Sequence, residues 1–170
     1  QKVRAVPGIV SVTPLVEAQA LVTSEGGAAG AVVRGIRPDA IRARKLIADH
    51  IVAGSLADFG GDAVAVGDRL AARLGVKAGD KITLVSPEGT DTAFGTMPRT
   101  KTYTVAALFD VGFYEYDNTF IYVPLDAAQV FFKLKDSVSY LEVFVADADQ
   151  AAAEGRKIVA ALGGEARILD

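Results

Sequence analysis

The chain of 170 residues contains no cysteine. That removes disulfides, thiol nucleophiles and cysteine-based zinc sites, and it leaves the compartment open. It has one histidine, His50. A catalytic or metal-binding imidazole needs convergent partners, and none accompanies this one, so it reads as a structural or solvated residue near a helix end. No apolar run approaches the length that crosses a bilayer, and no stretch has the pattern of a signal peptide. Neither a Walker pattern nor GxGxxG occurs, so Gly60-Gly61 and the strand–Gly67–helix step give nucleotide binding no support. Ser55 and Ser86 lie outside any nucleophile-elbow context. A formal net charge of -3 leaves no electrostatic footprint for nucleic acid. Anionic headgroups are equally poor partners for the surface as a whole.

With 51% apolar and 23% charged residues, the chain can bury the core of one ordinary domain or of two small lobes. It starts at Gln1 without Met and stops at Asp170 just after an expected strand, Ala166–Leu169. The expectation is an excised soluble domain of a larger chain, one that could be anchored in a membrane.

Strand and helix patterns follow one another along the chain. Ile9–Thr23 reads as extended, interrupted at Pro14. Glu25-Gly26-Gly27 is a turn, and Ala29–Ile36 is a second strand that forms a hairpin with the first. Pro38 opens a helix over Asp39–Asp49 with Ile41, Leu46 and Ile47 on its apolar side. Ala63–Val66 is a short buried strand. Asp68–Leu74 is a short helix closed by Gly75, with Leu70 and Leu74 one turn apart. Lys77–Asp80 turns into the strand Lys81–Ser86. The strand Thr102–Phe109 carries Tyr103, Val105, Ala107 and Phe109 on one face. Asp110–Asn118 is a loop rich in glycine and aromatics, Thr119–Val123 a strand, and Pro124 opens a helix with Leu125, Ala128, Gln129 and Phe132 toward the core. Tyr140–Ala146 is a strand and Asp147 an N-cap. The helix that follows has Ala151, Gly155, Ile158, Val159 and Leu162 at helical spacing and ends at Gly163-Gly164. A last strand, Glu165–Leu169, would lie parallel to Tyr140–Ala146 in one sheet.

The fold expected is therefore α+β. A discontinuous porter-like α/β lobe, residues 1–52 and 138–170, is drawn from both chain ends, and a β-rich lobe, residues 53–137, is inserted between them.

The carboxylates do not form a catalytic or metal pattern. Asp58, Asp62 and Asp68 lack the alternating short spacing and closing bidentate Glu of a calcium loop, and read as turn and cap residues. Glu115 and Asp117 lie among Tyr114, Tyr116 and Asn118, which points to a strand-end loop with a structural hydrogen-bonding role. Nothing in the sequence argues for an enzyme, a cofactor or a metal.

The stretch Ser86–Lys101 is the most informative. Strands that pair usually join through two to five residues, and this connection is far longer. It carries Phe94, Met97 and Pro98 among small polar residues. Phe94 and Met97 offer an apolar anchor, Pro98 restricts the backbone, and Arg99 and Lys101 are placed to pair with carboxylates on a partner's rim. The alternative is that Phe94 and Met97 fold back over an apolar part of their own lobe.

On these residues the sequence resembles a known family. Val76–Leu84, with its Gly79-Asp80 turn and following strand, resembles the MacB-like periplasmic core domain. Phe94-Gly95-Thr96-Met97-Pro98 followed by Tyr103-Thr104-Val105 is similar to the hook segment of lipoprotein-releasing (Lol) permeases of the LolC/LolE type. Phe109–Asp117 and Tyr122–Gln129 are similar to further stretches of the same permeases.

The resemblance implies the periplasmic domain of a bacterial inner-membrane ABC transporter permease. ATP hydrolysis would then reside in a separate ATPase subunit, and a permease partner would join through the membrane part. It implies a hook loop over about residues 90–101 that docks the periplasmic carrier LolA, with lipoprotein as cargo. Phe94, Gly95, Thr96, Met97 and Pro98 would form the tip, with Arg99, Thr100 and Lys101 completing the partner-binding set. Lys101 falls where the family typically has Arg, and supplies charge without the planar bidentate fork. The resemblance does not choose among carrier-docking, cargo-accepting and dual-role permeases. A second reading is the transmission domain of a MacB-like exporter, which binds an adaptor and docks no carrier.

Overall fold

The structure, a computed structural model, describes residues 3–147, 149 and 151–163. The elements in chain order are β1 (Ile9–Thr23), β2 (Ala28–Ile36), α1 (Pro38–Ala43), α2 (Lys45–Ala48), β3 (Ile51–Gly54), β4 (Ala63–Gly67) and α3 (Asp68–Leu74). There follow β5 (Lys81–Val85), β6 (Thr90–Thr92), β7 (Gly95–Met97), β8 (Thr100–Phe109), α4 (Tyr114–Thr119), β9 (Phe120–Pro124), α5 (Leu125–Phe131), β10 (Tyr140–Val145) and α6 (Ala151–Ala161). This is a mixed α+β fold with one main mixed sheet and a small separate hairpin.

Contacts divide the chain into two compact units. One draws on both ends, up to Pro14 and from Tyr140 onward; the other is Leu15–Ser139. The stretch from Leu15 through β3 groups with the central residues. In the first unit the backbone N–H of Ala146 donates to Gly8 O at 3.0 Å, and Asp147 Oδ1 accepts the N–H of Asp149 ahead of α6. The expected strand Glu165–Leu169 lies outside the described residues, while the helix that leads toward it is α6.

In the second unit β1 and β2 pair antiparallel, with Val16 opposite Gly35 and Thr23 opposite Ala28. β2 pairs parallel with β9, β9 antiparallel with β4, and β4 parallel with β8. β5 lies antiparallel to β8 and also to β1, so the six strands form a closed circuit of hydrogen bonds. β3 adds to β8 beyond β5. The expected alternation on β8 is broken by a bulge. Tyr103, Val105, Ala107 and Phe109 are all buried, but Val64 pairs with Val105 and the next residue, Ala65, with Ala107, so Ala106 is extra and the last two face the opposite side from the first two. Tyr103 and Val105 enter a core shared with Val33, Val66, Leu70, Leu74, Ile82, Leu84, Ile121 and Val123, while the Phe109 ring meets Tyr116 and Tyr122 on the other face.

Three local expectations are corrected. The helix over Asp39–Asp49 is two short helices, broken where Arg44 takes an extended conformation, φ −81° and ψ 95°. Ile41 and Ile47 are six positions apart and do not share one face of a continuous helix; the break lets both be fully buried. The segment Asp110–Asn118 is not all loop: Tyr114–Thr119 is α4, with Glu115 and Asp117 in its first turn, where carboxylates favour a helix start. On α5 the buried aromatic is Phe131, with Phe132 only half-buried. β3 carries no distinct sequence signal, being four residues long.

Gly67 is a packing residue. A Cβ there would lie 2.1 Å from the carbonyl oxygen of Asp117, so only glycine lets α4 approach the end of β4.

Candidate functional site

The long connection is a β-hairpin. β6 and β7 pair antiparallel, with Thr90 opposite Met97, Asp91 opposite Thr96 and Thr92 opposite Gly95. The tip is Ala93-Phe94. Thr92 organises it: its Oγ1 accepts the N–H of Phe94 at 3.2 Å and donates to Gly95 O at 2.7 Å. Gly95 sits at φ +113°, a region closed to most side chains, and so lets the chain reverse. Thr96 Oγ1 donates to Asp91 Oδ1 at 2.8 Å. Hydrogen bonds local to the hairpin thus hold its form.

Its apolar side chains are not used inside the domain. Phe94 is 100% exposed and Met97 62%, and every residue from Asp91 to Pro98 is exposed. The alternative in which Phe94 folds back over its own lobe is excluded by this exposure. The other expected site residues sit lower. Thr100 and Lys101 are exposed at the start of β8, and Lys101 Nζ pairs with Asp62 Oδ1 at 3.0 Å. Arg99 is half-buried at the foot of the hairpin, where its Nε–H donates to Phe131 O at 3.0 Å and a second N–H reaches Ser86 Oγ at 3.4 Å. Ser86, read in the sequence only as a non-nucleophile, is buried and supports the foot; its N–H donates to Arg99 O at 2.9 Å.

A second cluster lies at the other end of β8. Carboxylate oxygens of Asp68, Asp110 and Asp117 lie within 4.8 Å of one another. Among the described residues this is the grouping able to hold a cation. Asp58, Asp62 and Asp68, whose spacing reads as turn and cap carboxylates, do not form this group: Asp62 pairs with Lys101, and only Asp68 belongs to the observed set. Asp117 is fully buried and accepts N–H bonds from Val111 at 2.8 Å and Gly112 at 3.1 Å. Burial pushes its carboxyl above the ordinary carboxylate value, and the neighbouring Asp110 adds to this against the two backbone donors. The bonds that Asp117 accepts organise the turn into α4. Spacing could not reveal the cluster, because Asp68 and Asp117 meet only through the pairing of β4 with β9.

His50 is exposed, and its carbonyl accepts the N–H of Asp110 at 3.0 Å. Beside β9, Arg34 pairs with Glu17 at 2.6 Å and lies 4.7 Å from the Phe120 ring centroid, while Tyr116 and Tyr122 share a hydrogen bond. Burial raises the Tyr116 hydroxyl, with Tyr122 contributing. Burial likewise pushes Tyr103 up to about 12, with Asp62 and Asp126 adding to it. These groups stay neutral and serve packing.

Comparison with known proteins places the chain in context. Residues 1–161 match the MacB-like periplasmic core domain. The lipoprotein-releasing system transmembrane protein LolC of Neisseria meningitidis serogroup B is 35% identical over 148 residues, which cover 86% of this chain and 36% of that protein. LolC of Xylella fastidiosa is 30% identical over 166 residues, 96% of this chain and 40% of that protein. The chain thus spans well under half the length of these relatives. Among solved structures, the extracellular domain of the noncanonic ABC-type transporter YknZ from Gram-positive bacteria superposes with a TM-score of 0.65 at 17% identity, covering 95% of this chain and 80% of that one. The periplasmic region of MacB from Actinobacillus actinomycetemcomitans gives 0.58 at 12% identity, covering 93% and 68%. At such identities these structures speak to the fold alone. No helix among the described residues is long and apolar enough to cross a membrane.

Proposed function

Because the chain belongs to the MacB-like periplasmic core domain family and is the periplasmic domain of a LolC-like inner-membrane transporter, we propose that it docks a LolA-type lipoprotein carrier through the hairpin tip, Phe94–Pro98, during lipoprotein release. The carrier would then receive the acylated cargo. ATP hydrolysis belongs, on this reading, to a separate ATPase subunit, and a permease partner assembles through the membrane part. A porter-like lobe from both chain ends, with a β-rich lobe inserted and bearing the hairpin, is part of the same proposal.

The observation that carries it is Phe94, fully exposed at the tip of a hydrogen-bonded hairpin. Burying a side chain such as Phe94 against a partner yields about 1.5–3 kcal/mol, none of which the domain itself collects, and Met97 adds what its exposed part allows. Met97 adapts to an irregular pocket, and Pro98 lowers the ordering cost of docking. Thr100 and Lys101 flank the foot, where Lys101 would chiefly steer approach while in exchange with Asp62.

The test is calorimetry of this domain against the LolA-type carrier, beside a variant lacking residues 92–99. Heat of binding that vanishes with the deletion supports docking. Binding retained by the deletion variant sinks it. No binding by the intact folded domain, together with binding to an exporter's adaptor, turns the assignment to a MacB-like transmission domain.

A further inference from the structure

The hairpin is gripped from outside. Phe131 closes α5, so its carbonyl is among those a helix end leaves without an intrahelical partner, at the negative end of the helix dipole. That oxygen receives Arg99 Nε–H at 3.0 Å. Phe131 is itself buried in the core, so the post that Arg99 holds is fixed. Two residues on, Lys133 adopts φ +55°, a conformation unusual for a residue with a side chain, and its Nζ reaches Thr90 Oγ1 at 3.0 Å. The end of α5 therefore holds one leg of the hairpin at Arg99 and the other at Thr90. Pro87 and Pro98 sit directly beside the Ser86–Arg99 pair and leave few torsions free for the hairpin to swing.

We infer that Arg99 is a positioning residue which aims the hairpin, with Lys133 as a second and weaker hold, and that it is not a contact for the partner. This rests on the docking proposed above. A cation already spent on Phe131 O and Ser86 Oγ is poorly placed to pair with carboxylates on a partner. Its loss leaves the tip intact, since Thr92, Gly95, Thr96 and Asp91 bond among themselves. What is lost is the tip's direction.

The experiment compares wild type, Arg99→Ala and the double variant Ser86→Cys/Arg99→Cys. Residues 86 and 99 continue the register of β5 with β8 and face one another. Their Cα atoms thus fall about 5.5 Å apart, within disulfide range. Amide ¹⁵N relaxation of Thr92, Gly95 and Thr96 in the free domain reads hairpin order, and calorimetry reads carrier affinity. Arg99→Ala should raise hairpin mobility and weaken binding about tenfold, the scale of one charge-assisted hydrogen bond. The oxidised double variant, with no cation at 99, should recover both order and affinity, and the reduced form neither. Unchanged relaxation in Arg99→Ala overturns the inference. So does an ordered, oxidised variant that still binds weakly, which would make Arg99 a partner contact. Should the wild type bind no carrier, the docking proposal falls, and relaxation alone decides whether Arg99 aims the hairpin.

Discussion

The two ends of β8 use their side chains in opposite ways. At its start, the hairpin exposes Phe94 and Met97, and its hydrogen bonds are satisfied almost wholly within itself. At its end, the turn into α4 buries a carboxylate, Asp117, and spends it on the N–H groups of Val111 and Gly112. An apolar side chain left in water gives the fold nothing, and a polar one taken out of water must be bonded within it. The first end is arranged for something outside the domain, and the second for the domain itself.

Substitutions that sharpen the contrast should fall in a clear order. Gly67→Ala drives a Cβ to 2.1 Å from Asp117 O and should cost about 3 kcal/mol or more, read as a lower urea midpoint at unchanged slope. Asp117→Ala leaves the Val111 and Gly112 donors unpaired in a cavity and should cost about 3 kcal/mol in the same measurement. A loss under about 0.5 kcal/mol in either variant would erase the difference between the two ends.

A pH series probes the same turn. The folded-state pKa of Asp117 is raised above its ordinary value, so the folded protein binds this proton more tightly than the unfolded chain. The contribution is fully present below the ordinary carboxylate value and is lost as pH rises through the folded value. The wild-type melting temperature should therefore decline over that rise relative to Asp117→Asn, whose amide keeps a donor at all pH values. Parallel profiles would show that the proton is absent.

The smallest stability effect belongs to the hairpin. Phe94→Ala should shift unfolding by no more than about 0.5 kcal/mol while weakening carrier binding by at least about thirtyfold, as a central apolar anchor does. A large stability loss would mean that Phe94 serves the fold after all.

How much of this could be read beforehand depended on the range of the interactions. The alternation Tyr103, Val105, Ala107, Phe109 is local and marked four buried residues, but the bulge at Ala106, set by pairing with β4, hid that they divide between two faces. Gly75 likewise marked the end of α3, where it sits at φ +66°. The break at Arg44 was hidden because helix periodicity does not say where two isoleucines must point. β6 and β7 were missed because the three-residue strands Thr-Asp-Thr and Gly-Thr-Met, joined at Ala93-Phe94, lack both apolar alternation and an Asn-Gly or Asp-Gly turn. The exposed tip was legible as apolar residues in an overlong connection. Arg99 was legible only as a charge, since its partner Phe131 O is a backbone atom 32 positions away.

The closed circuit of strands also sets an order of events during synthesis. β9 lies between β2 and β4, yet it is the last of the six strands to be made. A nascent chain ending before Phe120 has β2 and β4 with open edges and no strand to join them, so the ring cannot close until about residue 124 has left the ribosome. Contacts of such long sequence separation form slowly, and unpaired strand edges invite aggregation while they wait. The hairpin, encoded before β9, would emerge while the ring that carries it is still open.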